Sequence, residues 1–155
     1  MKLMKLILPI SVIAIGMPVF AHADAIGTTA MFSLTVDGCT GGCGTAPFAT
    51  VTLTQSATGV VDVKEVLTST TPAEGFVATG SGQSLEFNLK NDPAITFSFI
   101  TAGFAQVTPK NAGGFGDFDY AVSCSGLSCG PGGSTVNHGP LEFTITNGTG
   151  VNVSD

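Results

Sequence analysis

The sequence has very few basic residues. It contains no arginine and no tryptophan, and its five lysines face eleven carboxylates. Binding to nucleic acid or to anionic lipid depends on clustered lysine and arginine side chains that neutralise phosphates. The composition therefore argues against both as partners.

The first 23 residues have the pattern of a signal peptide. Lys2 and Lys5 precede an apolar run over residues 6–20, and Ala21 and Ala23 supply the small residues of an A-x-A cleavage site. The run is shorter than the roughly 20 residues of a transmembrane helix, so no stable membrane insertion is expected after cleavage. The sequence predicts export to the cell surface or the extracellular space, with the periplasm as an alternative. Cleavage would leave three lysines against eleven carboxylates, a net charge of −8.

The remaining residues, 24–155, alternate apolar and polar side chains with the period of two that is typical of β-strands. The clearest case is 50–54, where threonines alternate with Val51 and Leu53. The same alternation predicts strands at 30–36, 61–64, 85–89, 95–99, 118–122 and 141–146, and more weakly at 76–78. Glycine, proline and asparagine turn signals separate these segments. The sequence predicts one all-β domain, an antiparallel β-sandwich or a jelly-roll-like fold.

Aromatic residues are expected to fill the core of this domain. Nine phenylalanines mostly fall at the apolar positions of the predicted strands: Phe32, Phe48, Phe76, Phe87, Phe97, Phe99, Phe104, Phe118 and Phe143. Such side chains fill the space between two packed sheets. Tyr120, the only tyrosine, is predicted to face the core as well. The opposite strand faces are rich in hydroxyl groups, which can hydrogen-bond to glycans or to water.

The four cysteines, Cys39, Cys43, Cys124 and Cys129, form an even number in a chain predicted to be exported, which favours disulfides. Glycines within each close pair let the chain double back. We expect two local bridges, 39–43 and 124–129, because close sulfurs meet more often in the unfolded chain. Cross-pairing would stabilise the fold more and stays open as an alternative. A zinc site of this spacing is a weaker alternative in an exported chain.

No residue pattern indicates catalysis. His138 is the only histidine after the signal peptide, and no Gly-x-Ser-x-Gly elbow accompanies it. Asp117 and Asp119 are predicted to project from one strand face, where a hydrolase pair or a calcium site is conceivable and solvated acids are the simpler interpretation. We expect no enzyme, no cofactor and no metal. A hydrolase would require activity that disappears when His138, Asp117 or Asp119 is changed.

Several segments together resemble the ectodomains of bacterial PEP-CTERM proteins, which are exported surface proteins processed by exosortase. The similarity is carried by CTGGCG at 39–44, PFATVTLT at 47–54, GFVATG at 75–80, FDYAVSC at 118–124 and GPLEFTIT at 139–146. The resemblance implies a structural or adhesive protein of the cell surface or extracellular matrix, associated with exopolysaccharide or other surface proteins. It implies no reaction.

Two expectations remain beside this resemblance. The first is a freely secreted module that binds carbohydrate or protein through the glycine-rich loops around residues 126–139. The second concerns the end of the sequence. Val151 and Val153 begin an alternating stretch with no strand left to pair with, and the Pro-Glu-Pro motif, apolar helix and basic terminus of the family are not in the sequence. Both observations predict a truncated reading frame.

Overall fold

The structure, a computed structural model, describes residues 24–35, 45–68, 75–77, 83–109, 116–130, 134–148 and 150–155. The predicted signal peptide and the predicted bridge between Cys39 and Cys43 lie outside these residues. Eight strands are described: β1 (Thr29–Leu34), β2 (Ala49–Ala57), β3 (Val60–Leu67), β4 (Leu85–Phe87), β5 (Thr96–Ser98), β6 (Phe104–Val107), β7 (Tyr120–Cys124) and β8 (Leu141–Thr146). One turn of 3-10 helix, Gly126–Ser128, follows β7.

The strands form two antiparallel sheets. The larger has the order β1-β2-β3-β8-β5, and the smaller has the order β4-β7-β6. Strands β3 and β8 alternate buried and exposed residues along their length, so one face of the larger sheet is apolar and the other is polar. The predicted all-β sandwich is confirmed.

The core lies between the two sheets. The larger sheet contributes Val51, Val61, Val63, Leu141, Phe143 and Ile145, and the smaller contributes Phe104, Val122 and Cys124. Aromatic rings join the layers, because Phe87 of β4 stacks on Phe143 of β8 at a centroid distance of 6.1 Å and on Tyr120 at 5.4 Å. The predicted inward orientation of Tyr120 is confirmed.

Several predicted strand bounds were wrong. Strand β6 was not predicted, because four residues are too few to show a period and its conformation is fixed by pairing with β7. Strand β7 begins only at Tyr120, so Asp117 and Asp119 precede it instead of sharing a strand face. Of the weak candidate at 76–78, the structure describes residues 76 and 77, and Phe76 forms an isolated bridge with Asn137.

Four of the nine phenylalanines lie outside the core cluster: Phe48 and Phe118 are half-buried, and two others are exposed. Phe32 is 52% exposed and Phe99 is 87% exposed. Phe32 lies on the apolar face of the larger sheet, but at an edge strand that the three-stranded sheet does not cover. Phe99 follows β5 with a φ of 52°, which turns its side chain away from the core that Phe97 occupies. Both corrections arise from tertiary position and not from residue type.

The segment 150–155 packs into the sandwich without forming a strand. Val151 and Val153, which were expected to lack a partner, are both buried in the core cluster. Gln55 of β2 binds them, because its amide donates to the Val151 carbonyl at 3.2 Å and accepts from the Val153 N–H at 3.1 Å. The side chain of one buried glutamine therefore makes the hydrogen bonds to this segment that a neighbouring strand would otherwise make.

Candidate functional site

The outer side of the five-stranded sheet carries a patch that we call the polar face. Side chains alternate along a strand, so the neighbours of core residues on β2, β3 and β8 point outward here. The strand register aligns them in two rows, with Thr52, Lys64 and Glu142 in one and Thr54, Asp62 and Thr144 in the other. Six polar side chains from three adjacent strands thus lie side by side.

Contacts within each row orient these groups. The Lys64 ammonium lies 2.6 Å from Glu142 Oε1, and the Thr144 hydroxyl donates to Asp62 Oδ1 at 2.7 Å. Lys64 and Glu142 are each about half exposed, so water screens the pair and its effect on stability is small. These contacts place the donors and acceptors of each row next to one another at the surface.

Phe99 stands beside the polar face. It lines a shallow groove of about 420 Å³ together with residues of both rows, among them Lys64, Glu142 and Thr144. A phenyl ring exposed to this extent contributes nothing to the core. Its left-handed backbone conformation is uncommon for a bulky residue, and such positions are more frequent at functional sites.

Thr101 fastens the turn that carries Phe99 to β8. Its backbone N–H donates to the Glu142 carbonyl at 2.8 Å, and its hydroxyl donates to the same carbonyl at 3.1 Å. The Glu142 N–H donates to that hydroxyl at 2.8 Å. Three hydrogen bonds between two residues therefore fix the backbone of this turn to the backbone of β8.

The polar face suits a ligand that is itself rich in hydroxyl groups. Asp62 and Glu142 accept hydrogen bonds, Lys64 donates them, and the threonine hydroxyls do both. The flat apolar face of Phe99 can cover the C–H face of a sugar ring, which removes apolar surface from water. The arrangement is one for binding, since it places hydrogen-bonding groups around an aromatic surface.

A second exposed surface surrounds the disulfide between Cys124 and Cys129. This bond confirms local pairing for the second cysteine pair. Between the two cysteines the chain makes its 3-10 turn, which presents Leu127 at 99% exposure. The neighbouring loop is tied to it because the Gly130 N–H donates to the Thr135 carbonyl at 2.9 Å. We call residues 124–130 the disulfide turn.

The residues considered for catalysis have local structural contacts. Asn88 holds the chain just before β7, since its amide donates to the Asp117 carbonyl and its Oδ1 accepts from the Asp119 N–H at 2.7 Å. Both aspartates are exposed. His138 is exposed too and follows Asn137, the residue that bridges to Phe76. The backbone groups of both aspartates are therefore held by Asn88 in the loop that leads into β7.

Glu65 is the described residue whose electrostatics depart furthest from normal. It is 2% exposed, on the inner face of β3 between Val51 of β2 and Leu141 of β8. Within the described residues its Oε2 has no hydrogen-bond partner. Burial disfavours the charged form and raises the pKa of Glu65 from 4.5 to about 8. It lies on the opposite side of the sheet from the polar face.

Sequence reasoning predicted the hydroxyl-rich strand faces but missed the other parts of the site. Phe99 has the same alternation phase as Phe97, so the pattern assigned both to the core. The predicted strand 61–64 stopped one residue before Glu65, because a carboxylate interrupted the apolar phase set by Val61 and Val63. Extending the alternation through that residue would have placed a carboxylate in the core.

The described residues hold neither a cluster suited to a metal ion nor a helix suited to a membrane. No three of their His, Cys, Asp or Glu side chains are grouped as ligands would be. None of their helical segments has the length and hydropathy to cross a bilayer. Searches of protein-family models, curated proteins and solved structures give no match to this chain.

Proposed function

We propose that this chain is an exported, non-enzymatic protein of the cell surface or extracellular matrix that associates with exopolysaccharide through the polar face and Phe99. The observation that carries the proposal is the exposed phenyl ring of Phe99 beside two rows of oriented polar side chains. The resemblance of the sequence to PEP-CTERM ectodomains supports the same role.

Charge favours a glycan without many negative groups. After removal of the signal peptide the chain has a net charge of −8, so it repels polyanions at low ionic strength. Lys64 is paired with Glu142, which leaves the polar face without a free excess of positive charge. We therefore expect a neutral or amino-bearing polysaccharide to bind more tightly than a sulfated or uronic one.

The test is co-sedimentation of purified protein with neutral, amino-bearing and uronic polysaccharides. Phe99→Ala is expected to weaken binding up to about tenfold, because an aromatic contact contributes roughly 0.5–1.5 kcal/mol. Leu127→Ala is the matched control, since it removes another fully exposed apolar side chain away from the polar face. Equal binding by the native chain and Phe99→Ala would refute the proposal. Shortening of the polysaccharide would refute the non-enzymatic role.

The export step has its own test. Asp24 would be the first residue after cleavage, and its backbone N–H donates to Asn152 Oδ1 while its carboxylate accepts from the Ser154 N–H. The mass of the protein recovered outside the cytoplasm is expected to match a chain that begins at Asp24. An uncleaved chain retained in the cytoplasm would contradict the proposal.

A second candidate is a freely secreted binding module that uses the disulfide turn and the following loop up to Gly139. The observation that favours it is the almost complete exposure of Leu127 on a turn closed by a disulfide, which holds an apolar side chain ready for a partner. The same two variants separate the candidates. Binding lost in Leu127→Ala and kept in Phe99→Ala would favour this module.

A further inference from the structure

The edge strand β1 lacks the features that keep sheet edges apart. Its sequence, TAMFSL, contains no charged residue and no proline. In the described part of the chain β1 pairs only with β2, so its outer row of backbone groups is open. Natural proteins protect such edges with charges, prolines or bulges. An edge of six residues without any of these is suited to pairing with another strand.

Apolar side chains are concentrated at the same edge. Of the large hydrophobic residues that are exposed within the described residues, four lie on β1 or just before it: Ile26, Met31, Phe32 and Leu34. Phe32 and Leu34 lie on the inner face, opposite Val51 and Ala49 of β2. Isolated exposed apolar residues are ordinary, but a cluster of them marks an interaction surface.

An open cleft adjoins this edge, because three strands cannot cover five. It has a volume of about 500 Å³ and is lined on one side by Phe32, Leu34 and Leu53 and on the other by Leu85, Phe87 and Leu89. An acyl chain would fit the apolar lining but would leave the backbone groups of β1 unpaired. A strand satisfies the backbone and buries Phe32 in the same step.

We propose that β1 pairs antiparallel with β1 of a second copy of this chain, around a two-fold axis at Phe32. A second copy is the expected partner because β1 is uncharged and matches itself in this orientation, so two copies meet there without bringing carboxylates of the strand together, although their net charges repel at longer range. The two larger sheets become one sheet of ten strands, and their two clefts adjoin across the axis. Such an isologous contact is closed, so association stops at the dimer.

The sequence of β1 matches itself in this register. Phe32 lies opposite Phe32, Ala30 opposite Leu34, Met31 opposite Ser33, and Thr29 opposite Thr35. Residues that face the core in one copy then face the core side in the other, so every inner-face pair is apolar. A shift by one residue would place Phe32 opposite an outward-facing side chain, which the pleat forbids.

The test is sedimentation equilibrium of the purified chain and two lysine variants. The native chain is expected to be a dimer, and Phe32→Lys is expected to raise its dissociation constant roughly 100-fold or more, because two ammonium groups would lie directly opposite. Phe99→Lys is the matched control and should leave the dimer intact. It adds the same charge at an exposed phenylalanine that follows β5, the strand at the opposite edge of the larger sheet from β1. A native chain that is monomeric at every concentration, or a dimer unaffected by Phe32→Lys, overturns the proposal.

Cysteine substitutions test the register. Phe32→Cys is expected to form a disulfide-linked dimer on oxidation, because residue 32 lies opposite its own copy. Ala30→Cys should not, because position 30 lies opposite Leu34. Non-reducing electrophoresis beside the native chain under the same oxidant distinguishes the two. Crosslinking by Ala30→Cys alone would overturn the proposed two-fold position. A cooperative thermal unfolding transition in Phe32→Lys would separate dissociation from misfolding, and its midpoint should lie below the native one because dimerisation stabilises the folded chain.

Discussion

Gln55 and Glu65 lie on the inner face of the same sheet and are almost equally buried, at 0% and 2% exposure. Their surroundings differ. The amide of Gln55 donates to the carbonyls of Ala57, Val60 and Val151 and accepts from the Val153 N–H. Glu65 keeps a carboxylate oxygen that has no hydrogen-bond partner among the described residues. Two polar residues on neighbouring strands thus occupy opposite situations in one core.

The contrast shows that partners decide what a buried polar group does to stability. A buried amide with all its hydrogen bonds made loses little on leaving water, whereas an unpaired carboxylate loses its hydration without compensation. Gln55 therefore stabilises the attachment of segment 150–155. Glu65 destabilises the folded chain at any pH at which its carboxyl group would ionise in water.

The largest effect is expected from Gln55→Leu. The substitution leaves the Val151 carbonyl and the Val153 N–H buried without partners, and each such group costs about 1–3 kcal/mol. We expect the free energy of unfolding to fall by about 4 kcal/mol in urea titrations. Gln106→Leu is the matched control, because it makes the same change at an exposed position of β6. It should change the free energy of unfolding by less than about 0.5 kcal/mol. Similar losses in both variants would contradict the role assigned to Gln55.

Glu65→Gln is expected to act in the opposite direction. The folded chain at pH 7 must protonate a group whose pKa is 4.5 in the unfolded chain, and the amide avoids that step. Since one pKa unit corresponds to about 1.4 kcal/mol, the variant should gain about 3 kcal/mol at pH 7. Urea titration at pH 7 measures the gain. An unchanged or lowered stability would show that Glu65 has a partner that compensates its burial.

The pH dependence of the free energy of unfolding tests Glu65 in a second way. The pKa of Glu65 is higher in the folded chain, about 8, than its ordinary value of 4.5, so folding takes up a proton between these values. Its contribution to stability is therefore fully present below pH 4.5 and is lost as the pH rises towards 8. The difference in unfolding free energy between Glu65→Gln and the native chain should widen across this range. A constant difference would exclude titration of Glu65.

Tyr120→Phe extends the comparison to a third buried polar group. Its hydroxyl donates to Asp92 Oδ1 at 2.8 Å and also contacts the Pro93 carbonyl. Burial and the neighbouring carboxylate of Asp92 raise the pKa of Tyr120 to about 12. Removing the hydroxyl should lower stability by about 1 kcal/mol, because exposed Asp92 regains water as a partner. Thermal unfolding checks this, and a loss as large as that of Gln55→Leu would contradict it.

The smallest effect is expected at the ion pair between Lys64 and Glu142. It lies on the outer surface, where both water and salt weaken the attraction. A double-mutant cycle with Lys64→Met and Glu142→Gln should give a coupling of less than about 1 kcal/mol that decreases with added salt. A coupling that persists in high salt would indicate that the pair is shielded from water.

Alternation along the sequence predicted most of the fold and part of the candidate site. It predicted the outward threonines of β2, the inward Tyr120 and seven of the eight described strands. It ended β2 at Thr54 and β3 at Lys64, one residue before Gln55 and Glu65 in each case. Both strand ends were predicted too early for the same reason. In the sequence, a polar residue that faces the core looks the same as a polar residue that follows the end of a strand.

Local pairing of Cys124 and Cys129 was predictable because the contact is short in sequence. The position of Phe99 was not, because one left-handed residue after β5 reverses the face on which its side chain lies. The partners of Gln55 were also beyond prediction, since Val151 lies 96 residues further along the chain.

The sequence by itself determined the class of the fold and the polarity of each strand face, because side-chain alternation is a local property of extended backbone. Only the tertiary structure decided the strand order, the uncovered edge at β1, the outward turn of Phe99 and the unequal surroundings of Gln55 and Glu65. Each of these depends on which distant segments meet. A two-residue period predicts that a strand has two different faces, but it does not predict which other segments pack against each face.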